Sequence, residues 1–252
     1  MKSFEKFIAL SGLPRSGSTL LSSILSQNPN IHSEGLSSVC QLMWDMQNSL
    51  ELVSVKNSII EFNKINLKND LMSAIPSIYY KDIKESIVFD KSRSWTLPSN
   101  VDMFKKYIDL DAKMIVLERP ILDIVKSFVN LRIENNYKGN PEEGLIDENN
   151  EYIRRPLSGI KWAKQNNNGE FLFIQYDDFI SDPQKTLDDI YTFCNIKPYN
   201  HNFNNITSKY HQNDDVYFLK NLHKIRSTIS KRNVNVKLSQ NIINKCVELE
   251  NS

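Results

Sequence analysis

No stretch of this chain approaches the roughly 18 consecutive apolar residues that a membrane-spanning helix needs, so no bilayer span is expected. The segment Met1-Lys2-Ser3-Phe4-Glu5-Lys6 runs straight into the first apolar run, without the h-region of a secretory signal. Cysteine is scarce. Cys40, Cys194 and Cys246 form no CxxC pair, and an odd number cannot all pair within one chain, so reduced thiols and a cytoplasmic location are expected. Charge of one sign is missing too: 31 Lys and Arg face 30 Asp and Glu, a net charge of +1. That balance gives no global pull toward nucleic acid or membrane, so neither is expected as a partner, and any anion site must be local. His201 and His211 show no metal-ligand spacing with cysteine or another histidine, and no metal is expected. There is no internal repeat. The composition left, 40% hydrophobic and 24% charged over 252 residues, is that of a globular protein, read as one α/β domain over 1–252.

Four short apolar runs read as buried strands: Lys6–Leu10, Ser86–Phe89, Lys113–Leu117 and Phe171–Gln175. Near-continuous runs of this kind suit parallel strands covered on both faces. Helical spacing separates them, over Thr19–Gln27, two or three helices from Leu36 to Tyr80, Asn100–Ile108, Ile121–Asn130, Tyr152–Gln165 and Asp182–Asn195. Alternating strands and helices predict a central parallel sheet flanked by helices, joined by right-handed crossovers. The polar segment 135–150 reads as an exposed loop, and the tail from Asn200 has weaker periodicity.

After the first strand comes Ser11-Gly12-Leu13-Pro14-Arg15-Ser16-Gly17-Ser18-Thr19-Leu20-Leu21. Strand, glycine loop, then helix is how an α/β protein cradles phosphate, because the N–H groups of a helix start are unpaired and point at an anion. Gly12 and Gly17 have the spacing of a nucleotide-binding P-loop, GxxxxGK[ST], but Ser18 stands where that loop has its lysine. Pro14 limits the chain entering the turn, and Gly17 lets the backbone approach an anion. Ser16, Ser18 and Thr19 bring hydroxyl donors, and Arg15 can grip two oxygens at once. The alternative is an ordinary strand–helix turn with a serine cap.

Arg119 sits at the C-terminal edge of the third predicted strand, where open α/β sheets bind ligands. Pro120 suits the first turn of the following helix, and Ser127 lies about two turns on. The pair can hold a second phosphate, or Arg119 can simply pair with Asp123.

Taken together these segments resemble the sulfotransferases that use 3′-phosphoadenosine 5′-phosphosulfate (PAPS). Leu13-Pro14-Arg15-Ser16-Gly17-Ser18-Thr19-Leu20 is similar to that family's 5′-phosphosulfate loop, and Arg119 with Ser127 to its 3′-phosphate pair. Gln175-Tyr176-Asp177-Asp178-Phe179 followed by Asp182-Pro183 resembles the family's Tyr-Glu-Asp-Leu…Pro segment. The likeness spans roughly residues 6–195. It implies a three-layer P-loop NTPase-like fold, with PAPS as the donor, 3′,5′-adenosine bisphosphate as the product and no required metal. A sulfuryl group carries less charge than a phosphoryl group, which makes the missing loop lysine intelligible.

The resemblance is closest to the protein-tyrosine sulfotransferase-like branch, and it implies the remaining roles. Lys91, in Asp90-Lys91-Ser92-Arg93, is similar to that branch's lysine that stabilises the transferring group. Glu34, in Ile31-His32-Ser33-Glu34-Gly35, falls where the branch places its base, offset by about two residues, so His32 competes for the role. Arg93 is a candidate for the acceptor or for the same sulfuryl oxygens, and Trp95 and Trp44 are candidates for the acceptor pocket, although core packing is the default for tryptophan. Tyr176 would lie against the nucleotide, and Arg132 is a further candidate for holding its 3′-phosphate. The run His223-Lys224-Ile225-Arg226-Ser227, with Lys224 and Arg226, is a candidate for a late loop closing over it, or else a solvated basic face. The acceptor, a small molecule, glycan or peptide offering a hydroxyl or an amine, is not encoded in any motif. Two rivals stand beside this reading. One is a P-loop kinase for a small metabolite, with Asp90 as its acidic strand end; the other is a nucleotide-binding module without catalysis.

Overall fold

A computed structural model of the chain describes residues 4–210, 212–230 and 234–251, so His211 lies outside the described residues. The strands are β1 (Lys6–Gly12), β2 (Ile31–His32), β3 (Ile87–Lys91), β4 (Met114–Glu118) and β5 (Phe171–Gln175). They form a parallel sheet in the order β2-β3-β1-β4-β5. Alternation along each strand explains the covering layers. In β1, Phe7 and Ala9 enter one core while Ile8 and Leu10 enter the other. In β4, Met114 and Val116 go one way and Ile115 and Leu117 the opposite way. A strand apolar on both faces needs a layer on each, which is why its sequence lacks a polar alternation.

One face is covered by α1 (Ser18–Leu25), through Leu21, Ile24 and Leu25, and by α9 (Pro183–Phe193), through Leu187, Ile190 and Tyr191. The other face carries α2 (Val39–Leu50), α4 (Leu67–Tyr79), α5 (Pro98–Tyr107), α6 (Ile121–Glu134) and α7 (Arg154–Gln165). A further helix, α3 (Val53–Glu61), buries none of its residues. The result is a three-layer α/β fold with a central parallel sheet, as the sequence predicts.

All four predicted strands form, three of them shifted or extended by one or two residues, and the 36–80 region yields three helices. Among the strands and α-helices, three elements escape the sequence reading. β2 is only two residues long, too short for a period, and α8 (Tyr176–Ser181) starts directly at the end of β5. The third, α10 (Gln240–Asn251), buries only Ile242, Cys246 and Leu249, in a core shared with α6. Segment 135–150 has turns but no helix or strand, as expected of a loop.

Candidate active site

The loop after β1 is shaped by two glycines. Gly12 has φ +140°, and a Cβ there would stand 2.3 Å from the Leu117 carbonyl oxygen, so only glycine lets β1 pass β4 this closely. Gly17 has φ +87° and caps α1 without a side-chain partner for the first-turn amides. No acidic residue stands in that turn, so the amides of Ser18 to Leu20 are left for an anion. Between the glycines, Arg15 takes the left-handed conformation at φ 61°. Ser16 corrects an expectation. It is fully buried and its hydroxyl donates to the Leu13 carbonyl at 2.6 Å, closing the loop instead of facing an anion.

Strand order brings the cations together. β3 and β4 flank β1, so Lys91 at the end of β3 and Arg119 just past the end of β4 converge on the loop from either side. The side chain of Lys91 is buried, and its Nζ donates to Thr19 Oγ1 at 3.4 Å. Burial, then the charges of Arg93 and Arg15, push its pKa down to about 7. Arg119 donates from Nη1 to the Arg15 carbonyl at 2.9 Å and lies over the Tyr176 ring at 4.3 Å. Its Nε is buried with no hydrogen-bond partner among the described residues. An orphaned guanidinium N–H is unfavourable unless something anionic completes it. Arg15 Nε donates to Ser127 Oγ at 3.1 Å, which ties the loop to α6.

These groups line a cavity of about 400 Å³, within the range of small-ligand sites. Seven lysine and arginine side chains line it, and no aspartate or glutamate among the described residues does. Pro14, Arg15, Gly17, Ser18 and Thr19 form one wall, and Lys91, Arg93, Arg119, Ser127 and Tyr176 others. Lys224 and Arg226 reach it from the tail, and Arg132 lines it while holding the Pro141 and Glu143 carbonyls at 3.0 and 2.7 Å. Arg93 sits 4.8 Å over the Tyr152 ring on the same cavity.

Four expected residues stand elsewhere. Trp95 has no exposed surface; its Nε1 donates to Asp90 Oδ1 at 2.6 Å, and its ring packs on Phe7 and Phe104. It is a core residue outside the cavity lining. Trp44 is half-buried on α2, outside the cavity lining. His32 is buried, with Nδ1 2.8 Å from the Tyr210 hydroxyl and Nε2 3.5 Å from Glu34 Oε1. Gly35 and Leu36 line the cavity, but the Glu34 carboxylate faces His32 instead. Asp90, the acidic strand end of the kinase alternative, is also outside the cavity lining. Its two oxygens take the Tyr80 hydroxyl at 2.8 Å and the Trp95 indole, and burial pushes its pKa up to about 6.

A family model described as Sulfotransferase family matches residues 8–200. The chain belongs to the sulfotransferase family. No curated protein matches this sulfotransferase by sequence. Among solved structures, the sulfotransferase domain of the Synechococcus PCC 7002 olefin synthase is 18% identical, with TM-score 0.55 over 99% of this chain and 96% of its own. The sulfotransferase domain from the curacin biosynthetic pathway is 17% identical, with TM-score 0.53 over 99% of both chains. A sulfotransferase from Alicyclobacillus acidocaldarius is 15% identical, with TM-score 0.52 over 84% of this chain and 87% of its own. At these identities what is shared is the fold. Among the described residues, no helix is long and apolar enough to cross a membrane.

The run His223–Ser227, expected as a late loop over the nucleotide, reaches the cavity through His223, Lys224, Ile225 and Arg226. Tyr217, Leu219 and Leu222 before it also line the cavity and were not expected, because they lie in a segment of low periodicity.

Proposed function

We propose that this sulfotransferase moves a sulfuryl group from PAPS to an acceptor hydroxyl or amine by in-line transfer. The observation that carries the donor assignment is the buried, unpartnered Nε of Arg119, on a cavity lined by basic side chains. A nucleotide with phosphate at both the 3′ and 5′ positions fits such a cavity, because one anion can complete Arg119 while another takes the start of α1. Arg119 and Ser127 would hold the 3′-phosphate, joined by Lys224 and Arg226. Arg15, the amides of Gly17 to Thr19 and the Thr19 hydroxyl would hold the 5′-phosphosulfate. Lys91 would stabilise charge as the S–O bond breaks, and Tyr176 would back Arg119. Arg93 and Tyr152 would face the acceptor, whether small molecule, glycan or peptide. Glu34, the base expected from the sequence, would reach the cavity only by turning from His32.

Metal independence belongs to the same proposal, since Ser18 replaces the P-loop lysine and the Asp90 oxygens are both engaged. Residues 1–252 are proposed as one domain, because α10 packs into the core of α6. Buried free Cys40, Cys194 and Cys246 suit a cytoplasmic location.

Calorimetry with 3′,5′-adenosine bisphosphate (PAP), 5′-AMP and ATP tests the donor site. PAP should bind at least tenfold more tightly than 5′-AMP, and equal affinities would remove the 3′-phosphate assignment. Transfer of labelled sulfate from PAPS to a panel of alcohols, phenols and amines tests the reaction. Magnesium-dependent ATP turnover without sulfate transfer would favour the kinase. A module that binds nucleotide without chemistry would also leave Glu34 and His32 off the cavity, and measured PAPS turnover excludes it.

A further inference from the structure

Sulfuryl transfer to a hydroxyl needs a group to take its proton, and neither Glu34 nor His32 lines the cavity. Another imidazole does. His223 lines it from the tail, with Nδ1 2.6 Å from Asp214 Oδ1 and its backbone N–H 3.1 Å from Asp214 Oδ2. One carboxylate therefore grips the residue at two points. An Nδ1–H donated to a carboxylate leaves the Nε2 lone pair free, the tautomer that a base requires. Among the described residues, Nε2 has no hydrogen-bond partner.

The tail holds this dyad by several anchors. The Arg15 guanidinium donates to the Leu222 carbonyl next to His223. The Asn135 side chain accepts from the Lys220 N–H at 2.7 Å and donates to its carbonyl at 3.0 Å. A 3-10 turn over Asp214–Tyr217, capped by Asn213, fixes the carboxylate. The Tyr217 ring stands edge-on to the imidazole at 5.6 Å.

We propose that His223 is the general base of the transfer and that Asp214 positions it, a role that rests on the PAPS reading above. The acceptor oxygen attacks sulfur as its proton moves to His223 Nε2. The bond between sulfur and the 5′-phosphate oxygen breaks, its electron pair staying on PAP. Asp214 stabilises the imidazolium, which then returns its proton to solvent. The groups facing His223 are Asp214, Lys91, Arg15 and Tyr217. Burial, with help from the charges of Lys91 and Arg15, lowers its pKa against the opposing pull of Asp214. The imidazole is thus neutral at neutral pH, as a base must be.

The test uses the full chain and follows PAP release from PAPS, with water and with a primary alcohol as acceptors, beside PAP binding by calorimetry. His223→Gln should lower kcat by about 10²–10⁴-fold while PAP affinity stays within about threefold. The wild-type kcat/KM should fall at acid pH, below the ordinary histidine range, and His223→Gln should lose that limb. Asp214→Asn should lower kcat less and move the limb to lower pH, a shift that a merely structural role would not give. Wild-type kcat in His223→Gln overturns the assignment, as does an acid limb abolished by Glu34→Gln but kept by His223→Gln. A loss confined to PAP affinity makes His223 a nucleotide contact and also overturns it. A wild type that binds PAP but releases it from PAPS no faster than buffer sinks the base alone. A wild type that neither binds PAP nor consumes PAPS sinks the donor reading, and this proposal with it.

Discussion

Lys91 should make nucleotide binding take up a proton. Without a ligand its ammonium is held in a buried position beside Arg15 and Arg93, and its pKa falls from 10.5 to about 7. A bound phosphate or sulfate replaces that repulsion with attraction and returns the pKa toward its ordinary value. The protonated form is then favoured in the complex, so binding takes up a proton wherever the pH lies above about 7, and affinity falls as pH rises through that point. If the bound pKa returns to its ordinary range, PAP affinity should drop roughly 30-fold between pH 6 and pH 8.5, about 2 kcal/mol. Calorimetry in buffers of different ionisation enthalpy reads the proton directly, and should show close to one taken up at pH 8. Lys91→Arg should abolish that uptake, because arginine stays charged across the range. Phosphate ionisation of the ligand adds its own dependence near pH 6, but it is common to both proteins and cancels in the comparison. Equal uptake in wild type and Lys91→Arg would refute the reasoning.

The same buried charge should destabilise the ligand-free fold at and below neutral pH, since the unfolded chain holds the lysine proton more tightly. Lys91→Met is expected to raise stability at pH 7 by about 2–5 kcal/mol, with wild-type stability climbing as pH rises above 7; denaturant melts at pH 6 and 9 check both. Arg119→Ala should weaken PAP binding by about 2–5 kcal/mol, and calorimetry showing unchanged affinity would strip Arg119 of its phosphate. Gly12→Ala should lose more than about 3 kcal/mol, or fail to fold, because its Cβ meets the Leu117 carbonyl in a left-handed backbone. Trp95→Phe leaves the buried Asp90 carboxyl short of a donor and should cost about 1–3 kcal/mol in a thermal melt. A native melt with an altered acceptor KM would instead return Trp95 to the acceptor pocket.

What was legible in the sequence was local. Strands β1, β3, β4 and β5 declared themselves because each buries both faces, which forces an unbroken apolar run. The loop from Gly12 to Thr19 was legible because its backbone needs glycine at two positions and its helix start needs no partner. Residues at or just past the end of a strand, such as Lys91 and Arg119, could be assigned to the ligand edge because parallel strands share one C-terminal side. Two of the elements missed lacked a period to read, since β2 is too short and α8 follows its strand without a gap. α10 does carry one, with Ile242, Cys246 and Leu249 at i, i+4 and i+7, inside a tail whose other residues are weakly periodic.

Side-chain direction was another matter. Trp95 lies four residues after Lys91 in the same loop, yet one turns into the core and the other toward the cavity. No spacing rule separates them; the Asp90 carboxyl and the rings of Phe7 and Phe104 do. The same holds for Glu34, whose carboxylate is drawn to His32. His223 is the clearest case, because Arg15 and Asn135, on distant parts of the chain, anchor its neighbours Leu222 and Lys220 at the cavity, while Asp214 holds the imidazole.

The sequence by itself determined four of the strands and their parallel arrangement, the anion loop and the cations at its rim, since those follow from periodicity, backbone freedom and strand direction within a few residues. Only the tertiary structure decided which of those side chains face one another and which are used up in the core. That choice depends on contacts between segments far apart in the chain, where burial and pairing outweigh any local preference.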